Sequence, residues 1–173
     1  MRKGLLLTFL IATVFPAAAQ QSKDTNWDDW HFLLGKWTAE GGGQPGQAST
    51  GGFSFDSDLQ GKILVRRNYS DYPATGNKAG FRHDDLMVIY QEPQKGTSAV
   101  YFDNEGHSIH YAVSLSDDKK TITFVSDVTP STPRFRLIYR RLKDDSLSVE
   151  FDIAPPGRPD SFSKYVEGRA RRK

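Results

Sequence analysis

Four histidines and a spread of carboxylates are the residues of this chain that could do chemistry. His83-Asp84-Asp85 has acid–base potential, and a metal shared with His31 is the other chemistry these groups allow. His107 and His110 differ by an odd number of positions. On a strand their side chains leave opposite faces, so together they do not chelate one ion. Glu150 and Asp152 share a face, but one that looks outward beside Arg140. Neither a Gly-x-Ser-x-Gly elbow nor a His-Glu-x-x-His helix occurs, so the usual hydrolase signatures are absent. With no cysteine in the chain, thiol catalysis, disulfides and thiolate–zinc sites are excluded. No catalytic residue and no metal ligand is assigned on these grounds.

The elements that must position such groups are short alternating runs from Leu86 to Ile153, separated by clusters of Asp, Asn, Gly, Ser, Lys and Pro. Alternation broken by regular turn signals predicts an antiparallel meander. Before it, Asp28–Leu34 reads as one or two helical turns closed by Gly35, and Lys36–Glu40 as a first strand. Gly41 to Gly52 is a polar, glycine-rich connection without a phosphate-cradling pattern. Phe53–Phe55 and Gly61–Asp71 follow as strands, with a long loop from Tyr72 to Asp84. Phe162 to Arg171 forms the last strand. About nine or ten strands result, and closing them into a single all-β, up-and-down barrel removes the sticky edges.

Turn chemistry sets the registers. Gly106 in a three-residue loop places Tyr101 opposite Ile109 and Ala99 opposite Tyr111. A four-residue loop at Asp117–Lys120 sets Leu115 against Ile122 and Val113 against Phe124. Around Asp144-Asp145, a three-residue loop sets Tyr139 against Phe151 and Leu137 against Ile153, keeping apolar residues together and Tyr139 away from Glu150. The oily face then points inward, because burying the charged one unpaired would cost several kcal/mol per ion. On the third strand the same logic groups Ile63, Val65, Arg67 and Tyr69 inside. Arg67 is then an interior cation that asks for an anion or a carbonyl, and Tyr69, Tyr101, Tyr111 and Tyr139 add phenols. A few polar groups in an oily hollow fit a small-molecule site. The plainer reading is a set of core tyrosines with satisfied hydroxyls, and Arg67 at the rim paired with Asp71 or Asp84.

Residues 1–19 read as a signal peptide: a basic Met1-Arg-Lys3, an apolar Gly4–Phe15 and small residues before the cut after Ala19. Residues 20–26 make a polar, disordered leader, and 27–173 the barrel domain. Export to the periplasm or the medium is expected, with no membrane span. Arg2 and Lys3 leave with the signal, so the 23 basic residues of the full chain fall level with its 21 acidic ones. Such balance argues against a nucleic-acid or membrane-surface partner. Oligomeric state is not encoded in any of these patterns.

Gly35-Lys36-Trp37 after a short helix, the meander and an Arg-rich final strand together resemble the calycin superfamily of lipocalins, fatty-acid-binding proteins and nitrobindin-like barrels. The lipocalin resemblance implies that Trp37 plugs one end, packed by a late arginine, Arg169 or Arg171. Nitrobindin-like barrels bind haem through a late-strand histidine. Nothing from Tyr111 to Lys173 fills that role, and the Trp37-Thr-Ala-Glu-Gly41 opening differs from theirs, so no cofactor is expected. Nor does the carboxylate-holding Arg-x-Tyr of fatty-acid-binding proteins occur near the C-terminus. The leading expectation is an exported barrel binding a small, largely apolar molecule through Arg67, Tyr69, Tyr101, Tyr111, Tyr139 and Trp37. Two alternatives are an enzyme using the His83–Asp84 loop at the mouth, and a filled-core scaffold without a ligand.

Overall fold

A computed structural model describes residues 27–40 and 50–173. The expected signal peptide (1–19), the leader (20–26) and positions 41–49 of the glycine-rich connection lie outside the described residues. Ten strands run in chain order: β1 Gly35–Ala39, β2 Thr50–Asp58, β3 Ile63–Tyr72, β4 Phe81–Glu92, β5 Gly96–Asp103, β6 Ser108–Leu115, β7 Thr121–Ser126, β8 Arg134–Arg141, β9 Leu147–Ala154 and β10 Ser163–Arg172. Each pairs antiparallel with its sequence neighbours, and β10 returns to β1 to close the barrel. The closing seam is short, with Trp37, Thr38 and Ala39 facing Arg172, Arg171 and Ala170.

One end is sealed. The residues before β1 form a single 3-10 turn, Asp28–Trp30, rather than an α-helix. Its tryptophans enter the barrel end: Trp30 packs edge-on against Phe124, and the Trp27 indole donates to the Gly61 carbonyl at 3.0 Å. Trp37 donates to the Leu33 carbonyl at 2.7 Å. The arginine over its ring is Arg172, at 4.4 Å, which also donates to the Phe32 and Leu34 carbonyls. Arg169 and Arg171 alternate with the inward positions Ala170 and Arg172, and so pair outside with Asp144 and Glu40. Gly35 stands at φ +104°, and a Cβ there would meet Arg172 Nη1 at 2.9 Å. Above this plug Phe55, Leu64, Met87, Ile89, Ile122, Phe124, Tyr139 and Leu147 are fully buried, a core packed by interlocking rings.

The hairpin registers at Gly106 and at Asp117–Lys120 are as the turn chemistry dictates, with Tyr101 opposite Ile109 and Val113 opposite Phe124. The β8–β9 hairpin keeps the expected faces but sits two residues away from the expected pairing. Leu137 faces Phe151, and Tyr139 faces Val149. Its turn is Lys143–Asp145, with Asp145 at φ +58° and the Leu142 amide bonded to the Ser146 carbonyl. A shift of two leaves every side chain on its own face, so packing does not oppose it. Tyr139 and Glu150 are not partners, since Ile138 faces Glu150.

Two further expectations are corrected. The supposed loop from Tyr72 to Asp84 is only 73–80, because Phe81–Asp85 already pairs with β3. The phase of β3 is also inverted. Arg67 and Tyr69 look outward, while Leu64, Arg66, Asn68 and Ser70 line the interior beside Phe55, Phe53 and Gly51. Tyr69 instead carries the Arg82 guanidinium on its ring, at 4.3 Å. Ile63-Leu64-Val65 is apolar on both faces, so the alternation that fixes phase elsewhere is missing there.

Candidate functional site

Among the described residues no helix or turn caps the opposite, open end as the 3-10 turn caps the first. Inward residues on its walls, Tyr101, Ile109, Phe135, Val149 and Phe151, are half-buried although they pack against the core. Phe135 and Phe151 stack at 5.8 Å, and Tyr165 meets Phe151 edge-on. A β-bulge between Lys164 and Val166 on β10 accommodates Tyr165. At the rim Tyr72 and Phe81 stack at 4.5 Å.

Into the interior of this half projects a polar cluster, carried by three adjacent strands. Arg66 on β3 is 6% exposed and ion-pairs with Asp85 on β4. Its guanidinium lies 5.9 Å from the Phe53 ring centroid and 5.8 Å from that of Tyr139. Asp85 also accepts from Asn68 Nδ2 at 2.8 Å. His83, two residues earlier on β4 and hence on the same face, brings Nε2 to 3.5 Å from Asp85 and 3.1 Å from the Tyr101 hydroxyl. Its Nδ1 lies 2.7 Å from Glu105. Tyr101 donates to Asp103 at 3.2 Å, and Asp103 accepts from the His107 amide and holds the His107 ring at 2.8 Å. A continuous chain thus runs from the β5–β6 turn to the barrel centre.

Electrostatics follow from this wiring. The hydrogen bond to Asp85 raises the His83 pKa to about 9, with burial opposing it and Glu105 adding to it. His83 is therefore a cation at neutral pH, with both ring N–H groups donating. Burial pushes the Asp85 carboxyl up, but Arg66 and the bonds from His83 and Asn68 outweigh it and hold Asp85 below its ordinary value. Burial raises the hydroxyls of Tyr101 and Tyr111, and takes Tyr139 to about 12, so all three phenols stay protonated. Two buried polar atoms of this region, Arg66 Nε and Tyr139 Oη, make no hydrogen bond of good geometry among the described residues, although the two side chains interact with each other.

The residues expected from sequence divide accordingly. Tyr101, Tyr111 and Tyr139 face the interior together, whereas Trp37 belongs to the sealed end and Arg67 and Tyr69 to the outside. Asp84 is exposed and pairs with Arg82, so the working partners of His83 are Asp85 and Glu105. Arg66, Asn68 and Glu105 are not singled out by the sequence pattern, and Asp85 only as a member of His83-Asp84-Asp85. One signal is present: in the Arg66-Arg67 doublet, strand alternation sends one guanidinium inward whichever phase holds. Among the described residues no group of three or more His, Asp or Glu is placed to hold a metal ion. Nor is any helix among them long and apolar enough to cross a membrane.

Compared with solved structures, the chain is similar to the crystal structure of Rv2717c from M. tuberculosis. The TM-score is 0.57 at 14% sequence identity, over 85% of this chain and 96% of that one. The likeness shows the fold. No protein-family model matches the chain, and no curated protein matches it.

Proposed function

We propose that this barrel binds a small, largely apolar molecule in its open half, with the polar end directed at Arg66, Tyr139 and Tyr101. The observation that carries the reading is the pair of unpartnered polar atoms at the barrel centre, Arg66 Nε and Tyr139 Oη. Buried polar groups are almost always hydrogen-bonded, and a bound ligand atom is one natural way to satisfy these two. The half-buried aromatic and aliphatic walls above them supply the apolar contact such sites use. A calycin-like carrier, acting outside the cytoplasm after loss of residues 1–19, fits this reading. Native mass spectrometry of the protein purified from its source is the test. A mass excess that disappears on denaturation is expected, together with a blue-shifted Nile red emission after the ligand is stripped. A bare mass combined with an unshifted Nile red spectrum would remove the binding role.

A further inference from the structure

We infer that the polar end of the bound molecule is an uncharged hydrogen-bond acceptor, such as an amide, ketone or ester carbonyl, and not a carboxylate. The inference rests on the binding reading and adds the chemical class of ligand. It follows from how the charges facing the open half are already matched. Arg66, the cation at the barrel centre, is neutralised by Asp85. His83 lies between Glu105 at 2.7 Å and Asp85 at 3.5 Å. Asp103 adds a third carboxylate behind the Tyr101 hydroxyl, bonded to the His107 amide and ring at the exposed turn.

An anionic ligand would therefore find no spare cation among these groups. It would have to share the Arg66 guanidinium with Asp85, placing two carboxylates on one partner where little water screens them. An uncharged acceptor meets the opposite situation. Arg66 Nε–H and Tyr139 O–H are two donors without acceptors, on side chains more than nine-tenths buried. The Arg66 guanidinium carbon lies 5.8 Å from the Tyr139 ring centroid, and the two side chains also interact with each other, so they are close neighbours. A single carbonyl oxygen has two lone pairs, enough for both. The Tyr139 hydroxyl, pushed up to about 12, remains a donor through the whole neutral range.

The test compares two ligands of equal chain length, decanamide and decanoic acid, as competitors of Nile red at pH 8. Decanamide is expected to displace the dye at a concentration at least about tenfold lower, since a buried uncompensated charge costs more than 1.4 kcal/mol. Tyr139→Phe should cut the decanamide advantage by removing one donor, without improving decanoate. Asp85→Asn, which frees the Arg66 charge, should bring decanoate level with decanamide or ahead of it. Decanoate binding as tightly as decanamide to the unaltered protein would overturn the inference while leaving the binding site standing. Nile red binding that neither competitor displaces would overturn it as well. Failure of Nile red itself to bind would instead count against the binding reading underneath. Because the decisive comparison uses the unaltered chain, it holds even where a variant does not fold.

Discussion

The two ends of this barrel are built from the same strands but obey different rules. At the sealed end, the tryptophans of one 3-10 turn and the rings of Phe55 and Phe124 fill the section with apolar atoms. The open end inserts Arg66, Asp85, His83 and Tyr101 among its inward apolar residues. Burial stabilises the first region with little chemical specificity, at about 25 cal/mol per Å² of apolar surface. The second gives up part of that gain in exchange for directed hydrogen bonds. A barrel that only needed to be stable would repeat the first pattern along its whole length.

The largest effect expected from breaking this contrast is at Arg66. Arg66→Met strands the Asp85 carboxylate in the interior and should cost about 3–5 kcal/mol of unfolding free energy, read from urea denaturation. Arg66→Met combined with Asp85→Met should recover most of that loss. A double variant as unstable as the single one would show that the pair does more than neutralise itself. Next, Phe55→Ala at the sealed end should cost about 3–5 kcal/mol, whereas Phe151→Ala at the mouth should cost about 1 kcal/mol. The same two variants should invert in Nile red affinity, with Phe151→Ala the more damaging. Equal stability losses would mean that the two ends do not differ in packing.

Gly35→Ala sharpens the comparison from the plug side. A side chain at φ +104° is strained and meets Arg172, so a loss of about 1–3 kcal/mol is expected in thermal or urea unfolding. The smallest effect is titration at the mouth. His83 has its pKa raised on folding from 6.5 to about 9. Its contribution to stability is therefore complete below about pH 6.5 and is lost as pH rises through about 9. The urea midpoint should fall across that interval in the parent protein, and His83→Gln should flatten the fall. A parent curve that is flat from pH 6 to 10 would remove His83 from the ion-pair chain.

Sequence legibility follows the same division. From β5 through β7, alternation is clean and turns carry strong residues such as Gly106, so faces and registers can be read residue by residue. Tyr111 and Phe124 owe their inward placement to that pattern. On β3 the run Ile63-Leu64-Val65 is apolar on both faces, and the Arg66-Arg67 doublet makes an interior cation unavoidable without saying which one. Phe81-Arg-His-Asp-Asp85 resembles a loop because both its faces are polar, His83 and Asp85 inward and Arg82 and Asp84 outward. What hides β4's start from the pattern is the same property that gives it a role. The pairing of Asp85 with Arg66 is legible only in three dimensions, since the two lie on neighbouring strands.

Closure of the cylinder depends on the last strand. Arg172 reaches across 140 positions to Phe32 and, with Ala170 and Arg171, supplies the rungs that face β1. During synthesis, nine ribbons with two raw borders must wait until β10 leaves the ribosome, and such borders readily recruit other chains. Cutting the chain ahead of Ala170 would therefore leave a sheet with a permanent slit, prone to stitch itself to its neighbours.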